Sequence, residues 1–593
     1  MERAETEKKY TWDTGSIFAC DEDWERELAE AKASCDFSAY AGRLADRDTL
    51  LEFFRADERF CRRADRLYLY ASMRHDEDVR VGKYASYLAQ IQSMYTDYAS
   101  SLSFFEPELL SLDASVLEAR AADPDFADYD YMLEKLIKRK PHVLSAGEER
   151  IMALADEPLG TAHDAFSMLD NADLPLPKLT LDGKRTQLTH ATYGIVMRSG
   201  SRRARRDCFR AYYGAYGSLL NVLTATYAGN VKKDLFACRA RGYSSCLSMA
   251  MENEDVPECV YGNLVSSVDA ALPALHGYMA LRKRILGLRE QHMYDIYVPL
   301  VADADIKLSY DEAFGTVIEG LAPLGKDYQA LLRRAHDERW VDVCENAGKR
   351  SGAYSTGVYD THPYVLLNYQ PTANEVFTIA HEMGHSIHTY KSNAAQPYAK
   401  SQYTIFLAEI ASTVNEVLLL KHLCATTQDR RLKRFLLNYY IEMFRTTLFR
   451  QTQFAEFEQT AHAKAEAGEP LTRETLCGIY YGLNKKYYGD AVVHDEEISW
   501  EWARIPHFYR SFYVYKYSTG ITSAVSIACS ILEEGESAVR RYFRFLESGG
   551  RTHPCDILKE TGVDLTTEAP FERAMAEFSA TLSEFERLTE EEE

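Results

Sequence analysis

The chain has 593 residues, 46% of them hydrophobic, and a formal net charge of −22 at pH 7. That length exceeds what one minimal core needs and predicts a large catalytic body or two closely packed lobes. The charge repels phosphate backbones and anionic lipid, so it argues against nucleic-acid and membrane partners and mainly supports solubility.

The N-terminal MERAETEKKYTWDTGS has no apolar core after a basic start, and no later run approaches the length that crosses a bilayer. The expected location is cytoplasmic. Twelve cysteines, among them Cys20, Cys208, Cys344 and Cys529, are scattered singly without a CxxC pair. This spacing argues against a disulfide framework or a cysteine zinc site and predicts reduced, partly buried thiols.

From Arg66 to Leu110, apolar and aromatic residues recur at three- and four-residue steps: Leu67, Leu69, Tyr70, Met73, then Tyr84, Tyr87, Leu88, Ile91, Met94 and Tyr95. The period is that of helices packed on helices, and the fold class expected is mainly α. The tyrosines suit such interfaces, with an apolar ring and a polar tip that reaches water or a partner. Near Pro175–Thr189, alternating residues around Asp182-Gly183 predict a short hairpin. The basic MRSGSRRARRDCFR that follows reads as a solvated helix face compensating nearby acids, with an anionic partner as the alternative. This seam divides the chain into a helical N-terminal region, 1–195, and a region 196–585. At the C-terminus, Thr589 and four glutamates read as a frayed tail.

PYVLLNY, Pro363 to Tyr369, is rich in β-formers and reads as a short edge strand able to pair with an extended peptide. GAYSTG, Gly352 to Gly357, reads either as a mobile closing loop or as a plain turn. Thr372-Ala-Asn-Glu375 has the form of a capping box and starts a helix whose buried stripe is Val376, Ile379, Ala380, Met383 and Ile387. His381 and His385 share one face of that helix, with Glu382 on the adjacent flank. This HExxH pattern offers two imidazoles to one zinc ion and a carboxylate that can accept a proton from water at the metal. The alternative is a helix with satisfied core histidines.

Zinc also needs a third protein ligand. The next apolar helix, YTIFLAEIASTVNEVLLLKHL, carries Glu409 and Glu416 on one face. A carboxylate among Phe406, Leu407, Ile410 and Val414 is costly unless paired. Zinc would resolve the cost at Glu409 and a hydrogen bond to a ligand histidine would resolve it at Glu416. Otherwise both face water.

HEMGH followed by FLAEIASTVNE, preceded by HPYVLLNYQPTANEVFTIA and followed by RIPHFYRSFYVYKYSTG, resembles the oligoendopeptidase F branch of the thimet-oligopeptidase-like (M3) metallopeptidases. The resemblance covers about residues 200–580. It implies a two-lobed helical body around a deep active-site cavity, one Zn2+ per chain on His381, His385 and Glu409, Glu382 as general base, and Glu416 as an orienting partner. His388 falls outside that ligand set and reads as a packing or peripheral polar residue. The resemblance also points to His507 and one or more of Tyr513, Tyr515 and Tyr517 as oxyanion donors. A helical face pairs Tyr513 with Tyr517, without excluding Tyr515. The implied activity is cleavage of internal bonds in short, unstructured peptides. A metallocarboxypeptidase and a non-cleaving peptide binder are the alternatives, and the intact Glu382 counts against the second.

Overall fold

The computed structural model describes residues 1–181, 183–301 and 307–591. The described chain is mainly helical and carries three small sheets. It divides into two compact units, each assembled from separated segments: Met1–Val143, Asp305–His422 and Ile527–Val563 form one, and Leu144–Ala304, Leu423–Ser526 and Asp564–Glu593 form the other. Residue 195 lies inside the Leu144–Ala304 segment. All twelve cysteines are free thiols. Among the described residues, no helix is long and apolar enough to cross a membrane.

In the first unit, the period read from the sequence becomes the helices Arg47–Glu77, Gly82–Ser101 and Phe105–Ser111. Asp46 caps the first by accepting from the Thr49 backbone N–H at 3.0 Å. Leu67, Tyr70, Met73, Tyr84, Tyr87, Ile91 and Met94 are buried in one aromatic-rich core, where Trp24 stacks on Tyr87 with ring centroids 3.7 Å apart. Tyr364 and Leu366 enter the same core from a three-stranded sheet.

That sheet corrects two expectations. The strand within PYVLLNY is Tyr364–Leu366, and it is central: Val341–Asp342 pairs with it in parallel on one side and Tyr354–Thr356 antiparallel on the other. An unbroken apolar run is the signature of a strand covered on both faces, and all three of its residues are buried. GAYSTG is neither a free loop nor a plain turn, because Tyr354–Thr356 is an outer strand of the sheet.

In the second unit, the hairpin forms between Lys178–Leu181 and Lys184–Gln187. Gly183 takes the left-handed φ of 84° that the turn demands, while Asp182 lies outside the described residues. The basic stretch opens the long helix Arg202–Ala240, capped by Ser201. Its arginines face acids: Arg202 and Arg205 reach Asp295 at 3.0 and 2.7 Å, and Arg206 reaches Asp207 at 2.9 Å. The final helix, Ala569–Glu590, reaches the first of the four glutamates and keeps Thr589 buried; residues 592–593 lie outside the described chain.

This unit also buries a carboxylate completely. Glu501 accepts from Arg450 at 2.7 Å, Tyr213 at 2.9 Å, Tyr480 at 2.5 Å and Arg504 at 3.3 Å. Burial pushes its pKa up, but Arg450 and Arg504 outweigh that and hold it down at about 2. A folded-state value below the unfolded one contributes stability that is complete above about pH 4.5 and is lost as pH falls toward 2. Glu501→Gln is expected to leave Arg450 and Arg504 undercompensated and to lower stability at neutral pH by roughly 3 kcal/mol. It should also flatten the acid limb of a stability–pH curve measured by urea unfolding. An unchanged curve would refute this account.

Candidate metal centre

The helix Ala373–Ala395 begins where the sequence predicts, with Thr372 as N-cap, but no cap hydrogen bond to the Thr372 side chain forms. The Glu375 N–H reaches the Thr372 carbonyl instead, at 3.2 Å. Val376, Ile379, Ala380, Met383 and Ile387 are all buried, so the stripe holds and presents His381 and His385 beside it. The second helix is Ile405–Thr426, with Phe406, Leu407, Ile410 and Val414 buried.

The two helices meet at backbone contact. A Cβ on Gly384 would lie 2.5 Å from the Ser412 Cα and 2.7 Å from the Ala411 carbonyl oxygen, so no other residue fits without moving a helix. One turn away, Asn415 locks the register: its amide donates to the Ala380 carbonyl at 3.0 Å and its carbonyl accepts from Tyr328 at 2.8 Å. Reasoning from sequence passed over both residues, although an asparagine inside VNEVLLL was a visible signal of a buried polar partner.

This packing brings one donor atom from each of His381, His385 and Glu409 within 4.8 Å of one another. The two Nε2 atoms are 3.2 Å apart, and the Glu409 carboxylate lies 3.5 Å from His381 and 3.6 Å from His385. Glu416 sits on the other side of the same imidazole and accepts from His381 Nδ1 at 2.6 Å. Two carboxylates seven residues apart thus address opposite nitrogens of one histidine, which leaves Nε2 directed at the cluster.

The electrostatics suit a cation. Burial disfavours charge on His381, but the Glu416 hydrogen bond and the charges of Glu416, Glu382 and Glu409 outweigh it and lift the group to about 9. Glu409 is held below the usual carboxylate range, first by its hydrogen bond to His385. Burial raises Glu382, with the two histidines opposing. The donor set can therefore hold a metal ion, with a buried carboxylate next to it on the same helix.

His388 takes no part. It is buried, stacks on Tyr403 at 3.7 Å and 4°, and is pushed by burial down to about 3, so it stays neutral packing. In the second unit, His507, Tyr513 and Tyr517 form a cluster: Tyr517 OH is 3.4 Å from His507 Nε2, and Tyr513 stacks at 6.1 Å from the imidazole and 5.5 Å from Tyr517. Burial lowers the His507 pKa, helped by Arg510. Tyr515 is buried against Tyr261 at 5.3 Å, outside that cluster. Tyr513 precedes the helix Tyr515–Glu534, so its pairing with Tyr517 comes from the turn leading into the helix as well as from helical spacing.

A helical chain with an HExxH helix and a distant glutamate converging on one point is the architecture of a metallopeptidase. The family model for peptidase family M3 matches residues 195–577, and that for oligopeptidase F matches 108–175. Oligopeptidase PepF of Bacillus subtilis is 43% identical over 99% of this chain and 88% of its own length. Group B oligopeptidase PepB of Streptococcus agalactiae is 40% identical over 99% and 98%. A solved structure from Chlamydophila abortus aligns with a TM-score of 0.94 at 35% identity, covering 99% of each chain. Oligoendopeptidase-F from Enterococcus faecium aligns at 0.75 and 34%, covering 96% of this chain and 99% of its own. The chain belongs to peptidase family M3, in its oligoendopeptidase F branch, and its activity is that of a peptidase.

The contact at Gly384 yields a direct test. Gly384→Ala must push the Glu409 helix away from the histidines, at the upper end of the roughly 1–3 kcal/mol typical of overpacking. A thermal melt should show the loss of stability, and a metal titration should show weakened affinity. Native values of both would contradict the close contact.

Proposed function

We propose that the protein is a cytoplasmic zinc endopeptidase that hydrolyses internal bonds of short, unstructured peptides, with residues 196–585 as its catalytic region. The observation that carries this reading is the convergence of His381, His385 and Glu409 beside the buried Glu382. Two imidazoles and one carboxylate make up a three-ligand zinc set that leaves a position open to water or substrate. A bound zinc would supply a Lewis acid for the scissile carbonyl and a lowered pKa for water.

The remaining steps belong to side chains. Glu382 accepts the proton of the attacking water and delivers it to the departing amine; its raised pKa brings it nearer the working pH of such a base. Glu416 fixes the His381 ring through Nδ1. His507, with Tyr513 or Tyr517, donates to the oxyanion as the carbonyl becomes tetrahedral. Tyr515, packed against Tyr261, serves as the structural comparison. The outer strand Tyr354–Thr356, rather than PYVLLNY, is the position at which an extended substrate adds to the sheet. Its Ser355 hydroxyl lies 2.8 Å from that of Ser386 on the motif helix, which ties the strand to the centre.

Glu382→Gln is expected to keep stoichiometric zinc while losing most turnover, because the ligands remain and the base does not. Near-normal turnover with zinc retained would overturn the assignment of the base. Glu409→Ala should lose zinc affinity together with turnover, and metal content by atomic absorption checks it. Unchanged affinity would transfer the ligand role elsewhere, with Glu416 the first residue to examine. A mass-spectrometric product map of one defined peptide separates the readings: internal cuts support an endopeptidase, terminal trimming a carboxypeptidase, and no cuts a binder.

A further inference from the structure

The segment that carries His507 and Tyr513 is bent at a costly point. Phe512 has a φ of 56°, a left-handed backbone unusual for a bulky residue, while its ring is buried between His462, 4.6 Å away, and Tyr261, 6.1 Å away. Such a conformation persists only where its surroundings impose it. Here the restraint comes from two helices of the same unit, Arg202–Ala240 and Arg450–Glu466.

From the second helix, Glu458 accepts the Phe512 backbone N–H at 3.1 Å. Glu458 is fully buried; burial raises its pKa well above the carboxylate range, and among the described residues its other oxygen has no hydrogen-bond partner. The one hydrogen bond of its side chain among those residues is to that backbone amide. From the first helix, Asp234 accepts from the Ser511 hydroxyl at 2.6 Å, and the Asn230 amide donates to the Phe508 carbonyl at 3.2 Å and to Ser511 at 3.1 Å. His462 joins the two anchors, with Nε2 3.2 Å from Asp234 and Nδ1 2.8 Å from the Glu458 carbonyl. Residues 508, 511 and 512 are therefore tied to fixed helices between His507 and Tyr513.

We propose that Glu458, by holding the left-handed turn at Phe512, is the positioning residue that sets His507, Tyr513 and Tyr517 for oxyanion stabilisation, with Asp234 as its auxiliary through Ser511. This rests on the catalytic reading of His507 given above. The bend sits immediately before Tyr513, where a change in φ would rotate the tyrosine away from the imidazole it stacks on.

The test compares Glu458→Leu, which removes the acceptor and keeps apolar volume, with Glu458→Gln, which retains it. In the zinc-loaded protein, Glu458→Leu is expected to lower kcat by about tenfold or more, as small misplacements of catalytic groups do. KM should change by less than about twofold and zinc content should be unaltered, while Gln restores most of the turnover. Affinity for a phosphinic peptide, which mimics the tetrahedral state, should fall in step with kcat/KM. Because Glu458 acts through His507 and the tyrosines together, the double variant with His507→Ala should lose less than the product of the two single losses. Full turnover in Glu458→Leu, or losses that multiply in the double variant, would overturn the proposal. If Glu458→Leu does not fold, Ser511→Ala and Asp234→Asn decide by the same kcat, KM and inhibitor readouts, with unchanged turnover in both counting against it. Should His507→Ala itself turn over normally while Glu409→Ala is inactive, the catalytic reading of the segment has failed and the positioning role fails with it. Losses in His507→Ala with none in the Glu458 and Ser511 variants defeat the positioning role alone.

Discussion

At Gly384 a hydrogen stands where a methyl group would meet the backbone of Ser412, and the geometry of the metal centre depends on that missing carbon. Two apolar helices ordinarily pack with their axes 8–10 Å apart, the spacing their side chains impose. Removing the side chain at the crossing lets Ala373–Ala395 and Ile405–Thr426 approach until Glu409, from the second, lies within 3.6 Å of both histidine nitrogens on the first. Asn415 then fixes the sliding coordinate, because its bond to the Ala380 carbonyl would break if either helix moved by a turn. Glycine sets the distance and asparagine the register.

The same pair of helices shows why so much charge is tolerated inside an apolar interface. Glu382 and the Glu409–Glu416 pair surround two imidazoles, an arrangement whose uncompensated charge is negative. That field favours a positive charge on His381 and lifts its pKa to about 9. A divalent ion satisfies the same field through the lone pairs of Nε2, so proton and metal compete for one position. Elsewhere the protein buries carboxylates differently. Arg450 and Arg504 hold Glu501 below the carboxylate range, whereas burial beside Asp234 raises Glu458 well above it. Local environment thus moves the pKa of one type of side chain in opposite directions.

Much of this was legible in the sequence, and the parts that were not share a physical cause. The motif helix, its stripe and the pairing of Glu409 with Glu416 follow from periodicity and from the cost of isolated charge, both properties of the chain itself. The His381–Glu416 bond was foreseeable for that reason. PYVLLNY misled because its β-propensity identifies a strand without locating it in a sheet; centrality is decided by Val341–Asp342 and Tyr354–Thr356, more than twenty residues upstream for the one and about ten for the other. GAYSTG misled for the complementary reason, since small polar residues suit a loop and an outer strand equally. The Thr372 capping box failed because its pattern specifies which groups are present, while the bond also needs a side-chain rotamer that the local packing selects. Gly384 was readable as a glycine in a helix, a residue that weakens the helix by itself, but its purpose appears only with the partner helix in place.

The left-handed turn at Phe512 belongs to this last category. In the metal centre, regular helices with strong periodic signals position the functional atoms, and irregularity would only loosen them. In the His507 segment, His507 sits on a single 3-10 turn, Pro506–Tyr509, and residues 510–514, which lead to the helix of Tyr517, belong to no helix or strand. Rigidity there has to come from outside the stretch, and the donors and acceptors that supply it, Asn230, Asp234 and Glu458, sit on long helices whose own positions are fixed by packing along their whole length. Those residues are far away in sequence and individually unremarkable: a buried acid on a helix face reads as an error of pattern until the amide it serves is known. The chain thus uses one rule at both places, a functional group held by a neighbour on a packed helix, but the sequence announces it only where both partners lie on strongly periodic helices.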